Sequence, residues 1–189
     1  MGVCSDRFFL RQEDTLIVVV DVQERLCVAM DQEGLSRLVK NAGILLETAS
    51  ELGIPVAVTE QYVKGLGETL PELVAKLDAV PRHEKMSFSC CGCDDFMAQI
   101  KASGRRQIVL TGMETHVCVL QTALELLDAG YVVHLVADAV ISRSNENRQV
   151  ALAMMQQAGA VVTCTETVLF QLLRVAGGEA FKKLSKLVR

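Results

Sequence analysis

A carboxylate, an amine and a thiol in this sequence have complementary chemistry: Asp21, Lys85 and Cys118. A thiol becomes a nucleophile when a neighbouring base removes its proton. A nearby ammonium group stabilises the negative charge that develops during attack on a carbonyl. Together the three groups could hydrolyse an acyl compound, provided that the fold brings them to one place.

Cys118 lies in a segment, residues 106–130, whose hydrophobic period changes partway along it. The apolar run at 108–110 predicts a strand, and leucines at helical spacing after a tight turn predict a helix. Thr115 is the predicted N-cap of that helix. Cys118 then falls in the first turn, where the helix dipole and unpaired N–H groups favour a thiolate. The alternative is a buried, unreactive thiol, because free cysteine is among the most buried residue types.

The histidines offer no convincing base for Cys118. His116 is two positions away on the same helix, so its side chain points to a different side. His134 lies in the middle of a predicted strand and is expected to pack, while His83 lies in a segment that the sequence leaves ambiguous. Asp21, at the end of a predicted strand, is the better candidate.

Lys85 could keep Asp21 charged. A mostly apolar crevice raises the pKa of a carboxyl group, and a nearby cation lowers it again. The alternatives are a turn or helix cap for Asp21 and a solvated surface position for Lys85.

Composition excludes several classes of protein. With 189 residues, half of them hydrophobic and 22% charged, the chain predicts one globular domain over 1–189, with a polar lead-in at 1–13. A net charge of −4 and no long basic run argue against nucleic acid. No apolar run approaches the roughly 20 residues that span a bilayer. Seven cysteines without an export signal indicate free thiols in a reducing compartment, hence a cytoplasmic protein.

Strand and helix patterns alternate along the chain. Strands are predicted at 16–20, 54–59, 108–110, 131–136 and 160–163, with a brief strand or extended segment within 79–85; helices are predicted at 34–52, 72–77, 93–103, 115–130, 145–158, 165–176 and 179–188. This alternation predicts an α/β fold, a doubly wound, Rossmann-like parallel sheet of about six strands with helices on both faces.

The strand order decides whether the candidate residues meet. In the common order 3-2-1-4-5-6, the first and fourth strands are neighbours at the topological switch point, where ligands bind beyond the carboxyl ends of the strands. Asp21 ends the first strand, and Cys118 lies just beyond the fourth. The two are therefore expected in one crevice.

The motifs around these residues resemble the isochorismatase-like cysteine hydrolases, a superfamily that includes nicotinamidases and N-carbamoyl amidases. The resemblance runs from about residue 16 to the C-terminus and is carried by VVVDVQ around Asp21, EKMSFS around Lys85 and TGMETHVCV around Cys118. Two further stretches, TEQYVKGLGETLPEL at 59–73 and DAVISRSNENRQVAL at 138–152, are similar to the branch called isochorismatase domain-containing proteins.

The resemblance implies a catalytic triad. Asp21 would take the thiol proton and later return it to the leaving group, Cys118 would form an acyl-enzyme that water hydrolyses, and Lys85 would hold both in their charged forms. It also implies a non-proline cis peptide at Met113–Glu114. That bond would turn the N–H groups of Glu114 and Cys118 toward one point, forming an oxyanion hole.

Differences from the family restrict the reactions that this chain is expected to catalyse. Nicotinamidases carry an Asp-x-His pair and further histidines after the second strand, which bind a divalent metal. Here those positions read Thr59-Glu60-Gln61-Tyr62, and no histidine follows in the loop. We therefore expect neither a metal nor another cofactor. Isochorismatases proper lack the nucleophilic cysteine, so Cys118 also argues against vinyl-ether cleavage.

The remaining cysteines raise a rival hypothesis. Cys90, Cys91 and Cys93 form a dense cluster, but a structural zinc site needs four ligands at wider spacing. Packed or pocket-lining thiols are the favoured interpretation, with oxidation of one as a possibility. Three more are expected to pack: Cys4, Cys27 and Cys164.

The sequence leaves the substrate open. Gln23, Tyr62 and Phe88 are candidates for shaping a small-molecule pocket, or else for core and loop packing, with specificity residing in loops 60–69 and 87–95. The alternative functions are a non-catalytic binding or assembly module and a thiol-redox protein centred on residues 90–93. A homo-oligomer is expected from the superfamily and from the apolar C-terminal half.

Overall fold

A six-stranded parallel sheet organises the chain. The structure is a computed structural model that describes residues 7–77 and 79–189. Within them the strands are β1 (Thr15–Val20), β2 (Val56–Gln61), β3 (Arg82–Lys85), β4 (Gln107–Met113), β5 (Val132–Ile141) and β6 (Val161–Thr163). Their order is β3-β2-β1-β4-β5-β6, with every neighbouring pair parallel. The predicted fold class and strand order are confirmed.

Helices cover both faces of the sheet. They are α1 (Glu24–Cys27), α2 (Gln32–Leu52), α3 (Val63–Leu66), α4 (Pro71–Val74), α5 (Asp94–Ser103), α6 (Leu120–Asp128), α7 (Asn145–Ala158), α8 (Thr165–Leu173) and α9 (Gly178–Leu184). Apolar residues of α5, α6 and α7 pack on one face, and those of α2 and α8 on the other. In the described parts of the chain, no helix combines the length and apolar character needed to cross a bilayer.

The central strand β1 is covered on both faces of the sheet. Each of its residues is buried. Leu16, Val18 and Val20 pack into the core on one face, whereas Ile17 and Val19 pack on the other. A continuous apolar run suits a strand that is covered on both sides.

Strand β5 is longer than predicted. Leu110 pairs with Leu135, but Gly112 pairs with Val140, so β5 contains an irregular stretch with extra residues. Asp138 lies in this stretch and does not end the strand. Its Oδ1 accepts hydrogen bonds from the backbone N–H and the hydroxyl of Thr165, at 2.8 and 2.9 Å.

Candidate active site

The structure brings Asp21, Lys85 and Cys118 together at the carboxyl edge of the sheet. Asp21 directly follows β1, Lys85 ends β3, and Cys118 lies in a turn after β4. Lys85 Nζ donates to Asp21 Oδ2 at 2.7 Å, and the Cys118 thiol lies close enough to Asp21 and Lys85 for both charges to shift its pKa. Both members of the ion pair have side chains that are 0% exposed, and Cys118 is 6% exposed. The three groups thus form one cluster, an ion pair beside a thiol, that is largely shielded from water.

Asp21 is held by the neighbouring strand β2. The β1–β2 register pairs Val20 with Thr59, so Thr59 lies beside the residue that follows β1. The Asp21 N–H donates to the Thr59 carbonyl at 3.1 Å, and the Thr59 hydroxyl donates to Asp21 Oδ1 at 2.8 Å. Each carboxylate oxygen therefore has a donor, as a buried charge requires.

Lys85 is surrounded by acceptors. Besides Asp21, its Nζ donates to Gln61 Oε1 at 2.7 Å and to the carbonyls of Ser87 and Phe88 at 3.1 and 3.0 Å. The Tyr62 N–H also donates to the Lys85 carbonyl at 3.0 Å. An ammonium group has three N–H donors and no acceptor, so this environment suits the charged amine.

Cys118 carries its proton in this state. Burial raises the pKa of the Cys118 thiol well above its ordinary value, and the negative charge of Asp21 and the hydrogen bond to it raise that pKa further. The Lys85 ammonium lowers it in part. The predicted preference for a thiolate at the helix start is therefore outweighed by burial and by Asp21.

The turn before Cys118 differs from the prediction in two ways. The Met113–Glu114 peptide bond is trans, and no cis bond occurs among the described residues; left-handed backbone at Glu114, with φ of 55°, turns the chain instead. The first helical turn, Thr115–Val119, is π-helical and Glu114 occupies its N-cap position. Thr115 is not the cap, because its hydroxyl donates to the Ile141 carbonyl at 2.9 Å. An oxyanion hole from the N–H groups of Glu114 and Cys118 stays a prediction.

The predicted pocket residues have different surroundings. Gln23 is fully buried, and its amide pairs with the backbone of Gln61 at 2.7 and 3.0 Å. Gln23 therefore stabilises the backbone of Gln61 and does not face solvent. Tyr62 and Phe88 are 43% and 56% exposed. The Tyr62 N–H donates to the Lys85 carbonyl, and the Phe88 carbonyl accepts from Lys85 Nζ.

Sequence reasoning missed the roles of Thr59 and Gln61 at the site, whereas it predicted that Cys90 is a packed or pocket-lining thiol. Cys90 is fully buried with its Sγ 3.3 Å from the Thr59 hydroxyl, and burial raises the pKa of its thiol to about 12. A usable signal existed for the other two. Both are polar residues near the end of a strand, and polar residues there meet those of the neighbouring strand.

The other cysteines and the histidines have separate neighbours. All described cysteines are free thiols, whereas Cys4 lies outside the described residues. Side-chain contacts outside the triad are made by Cys27 (to the Gln23 carbonyl), Cys93 (to the Glu84 carbonyl), Cys164 (to Thr167), His83 (to Gln99) and His116 (to Ser142). In residues 7–77 and 79–189, no group of three His, Cys, Asp or Glu side chains could hold a metal ion.

Several known proteins are similar to this chain in sequence and fold. The isochorismatase domain family matches residues 15–167. Isochorismatase domain-containing protein 2 from Xenopus laevis is 40% identical, over 95% of this chain and 85% of its own length. A solved Caenorhabditis elegans structure described as MAR1 ribonuclease has a TM-score of 0.89 at 35% identity, covering 95% of this chain and 92% of that one.

Two solved YcaC structures are also similar, each with a TM-score of 0.89 at 26% identity over 95% of this chain. The Pseudomonas aeruginosa protein, 91% covered, was solved with covalent acrylamide. The Escherichia coli protein, 90% covered, is described as an octameric hydrolase of unknown specificity. With the domain match and the relative at 40% identity, these likenesses establish that the chain belongs to the isochorismatase family.

Proposed function

We propose that this chain is a cysteine hydrolase that cleaves a small amide, carbamoyl or related acyl compound through a thioester on Cys118. The observation that carries the proposal is the buried ion pair of Lys85 and Asp21 beside the buried Cys118 thiol. It supplies a nucleophile, a base and a fixed positive charge, the groups that covalent hydrolysis requires.

In the first step, Asp21 takes the proton from Cys118 as the sulfur attacks the carbonyl carbon. The carbonyl oxygen becomes negatively charged, and the N–H groups of Glu114 and Cys118 are the proposed donors to it. As the C–N bond breaks, Asp21 returns the proton to the leaving nitrogen. The products are an amine or ammonia and a thioester on Cys118.

In the second step, water hydrolyses the thioester. Asp21 takes a proton from the attacking water, the C–S bond breaks, and the proton passes to the sulfur. This releases the carboxylic acid and restores the thiol. One carboxylate thus serves as base and acid in turn, with the Lys85 ammonium hydrogen-bonded to it.

The proposed chemistry uses no metal. The residues at the metal-binding positions of nicotinamidases are engaged with the triad, since the Thr59 hydroxyl donates to Asp21 and the Gln61 amide oxygen accepts from Lys85. Neither residue provides a carboxylate or an imidazole, the ligands that divalent ions prefer there.

The relatives support thiol chemistry. Acrylamide is an electrophile toward thiols and is itself a primary amide, and one YcaC protein carries it covalently. The other YcaC protein is described as a hydrolase. We also propose self-assembly, because the latter is octameric, and a cytoplasmic location, because the described cysteines are free thiols. Light scattering on purified protein tests assembly, and imaging of a tagged chain tests location.

Acrylamide labelling tests the nucleophile directly. Peptide mapping after brief treatment at neutral pH should find the adduct on Cys118 before Cys164, although Cys164 is less buried, because Asp21 takes the Cys118 proton as the sulfur attacks. Labelling of Cys164 alone would contradict an activated Cys118.

A substrate screen tests the reaction. A panel of primary amides, N-carbamoyl compounds and esters should contain compounds whose hydrolysis is lost in Cys118→Ala, while the variant keeps its circular dichroism spectrum. The panel should also include RNA, since the C. elegans relative is described as a ribonuclease. Hydrolysis that survives in Cys118→Ala would refute the covalent mechanism.

A further inference from the structure

Gln61 is the second side chain that holds the Lys85 ammonium. Its Oε1 accepts from Lys85 Nζ at 2.7 Å, the same distance as the bond to Asp21. The two residues are paired in the β2–β3 register, so they lie side by side where both strands end. The other two acceptors are backbone carbonyls of Ser87 and Phe88, in the loop that follows Lys85.

The orientation of the Gln61 amide is determined by its other end. Its Nε2 donates to the Met86 carbonyl at 2.9 Å, which leaves the oxygen facing the ammonium. A flipped amide would place two donors against the ammonium and leave the Met86 carbonyl facing an oxygen.

Gln23 holds Gln61 in turn. Its Oε1 accepts from the Gln61 N–H at 2.7 Å, and its Nε2 donates to the carbonyls of Gln61 and Gly67 at 3.0 and 2.6 Å. The side-chain amide thus pairs with the Gln61 peptide as a neighbouring strand would. Gln23 is 0% exposed, so this clamp is shielded from competing water.

We propose that Gln61 is a positioning residue that holds the Lys85 ammonium against Asp21 and Cys118, and that Gln23 fixes Gln61 in that role. This inference rests on the proposed cysteine hydrolase activity. Without Gln61, the three N–H groups of the ammonium keep three acceptors, Asp21 and the carbonyls of Ser87 and Phe88, so the position of the ammonium shifts toward the loop that carries those two carbonyls. The thiolate would then lose part of its electrostatic support.

The first test measures how Cys118 reacts with iodoacetamide as a function of pH. The charged and titratable groups that influence this thiol are Asp21, Lys85 and Cys90. In Gln61→Met the rate at neutral pH should fall by about tenfold, the order expected for loss of a hydrogen bond to a charged group.

Gln99→Met is the matched control. Gln99 is also half-buried and also uses both ends of its amide, donating to the Val56 carbonyl at 3.0 Å and contacting His83 at 2.6 Å. The same substitution therefore removes two hydrogen bonds away from the triad. Its Cys118 profile should match that of the wild type.

A double-mutant cycle tests the contact without any activity. The effects of Gln61→Met and Lys85→Met on the unfolding equilibrium constant should be non-additive by at least about threefold, whereas Gln99→Met and Lys85→Met should be additive. An additive Gln61–Lys85 cycle would overturn the inference.

A coupled cycle with an unchanged Cys118 profile in Gln61→Met would also overturn it, because Gln61 would then act only on stability. If the wild-type thiol is unreactive although the cycle is coupled, the proposed hydrolase function fails and the inference fails with it. The double-mutant cycle reports on the Gln61–Lys85 contact, and the reactivity of the wild-type thiol reports on the hydrolase function, so the two failures can be told apart.

Discussion

Removing the Lys85 ammonium should strongly destabilise the fold. The pair joins Lys85 Nζ and Asp21 Oδ2 at 2.7 Å, and both side chains are 0% exposed. At this distance, two unit charges attract by about 6 kcal/mol at an effective dielectric constant of about 20. Desolvation of both groups offsets much of this attraction, so the attraction alone is not the net stability of the pair.

Lys85→Met is costly because of what it leaves behind. Asp21 would remain buried without its cation, and breaking a buried pair in this way costs about 3–5 kcal/mol. Gln61 and two backbone carbonyls would also lose a donor. We therefore expect a loss near the upper end, about 4–5 kcal/mol. Urea denaturation followed by circular dichroism measures it.

The sign of the stability change caused by a second substitution provides the decisive result. Asp21→Asn should destabilise the wild type but stabilise Lys85→Met, because in that background it removes the unpaired buried charge. Lys76→Met, which breaks a partly exposed pair with Glu47, is the control and should cost only about 0–1 kcal/mol. If Lys85→Met costs no more than this control, or if Asp21→Asn destabilises both backgrounds equally, the buried-pair reasoning is wrong.

Three further results are expected. Burial lowers the pKa of His134 from 6.5 to about 4. As the pH falls from 6.5 toward 4, the unfolded chain therefore binds a proton that the folded chain does not. Stability should drop by about 3 kcal/mol over that window, and denaturation of His134→Leu should lack this contribution. Gly112→Ala should cost roughly 2–5 kcal/mol in a thermal or urea melt, because Gly112 has a φ of 147° and a Cβ there would lie 2.2 Å from a carbonyl oxygen of β1. Gly104→Ala, also at positive φ but with nothing within 4 Å, should cost about 1 kcal/mol. Asp21→Asn should lower the pKa of Cys118, since the carboxylate raises it. The pH profile of Cys118 labelling by iodoacetamide should then shift to lower pH while hydrolysis is lost; a shift to higher pH would contradict the role of the Asp21 charge.

Three of the four described non-glycine residues with positive φ lie around the candidate site. Asp21, Tyr62 and Glu114 have φ of 51°, 39° and 55°, and each directly follows a strand, β1, β2 or β4. Such non-glycine residues cost on the order of 1–3 kcal/mol and persist where surrounding contacts enforce them. Here those contacts include bonds to Lys85 for Asp21 and Tyr62. This concentration of strain at one edge agrees with the proposed function.

The sequence was least informative where contacts depend on register. It left residues 79–85 ambiguous, and the β2–β3 pairing places Lys85 beside Gln61. It predicted a strand at 131–136, whereas β5 continues through an irregular stretch to Ile141. Local periodicity does not encode which residues of two distant strands become partners.

By itself, the sequence determined the parallel α/β sheet, since apolar strands alternate with amphipathic helices, and it placed Asp21 and Cys118 at the same edge because neighbouring parallel strands end together. Only the tertiary structure decided the protonation of Cys118 and the pairing of the Gln23 side-chain amide with the backbone of Gln61. Both depend on burial and on charges and hydrogen bonds between groups far apart in the chain. Those quantities exist only once the strands are paired and covered by helices.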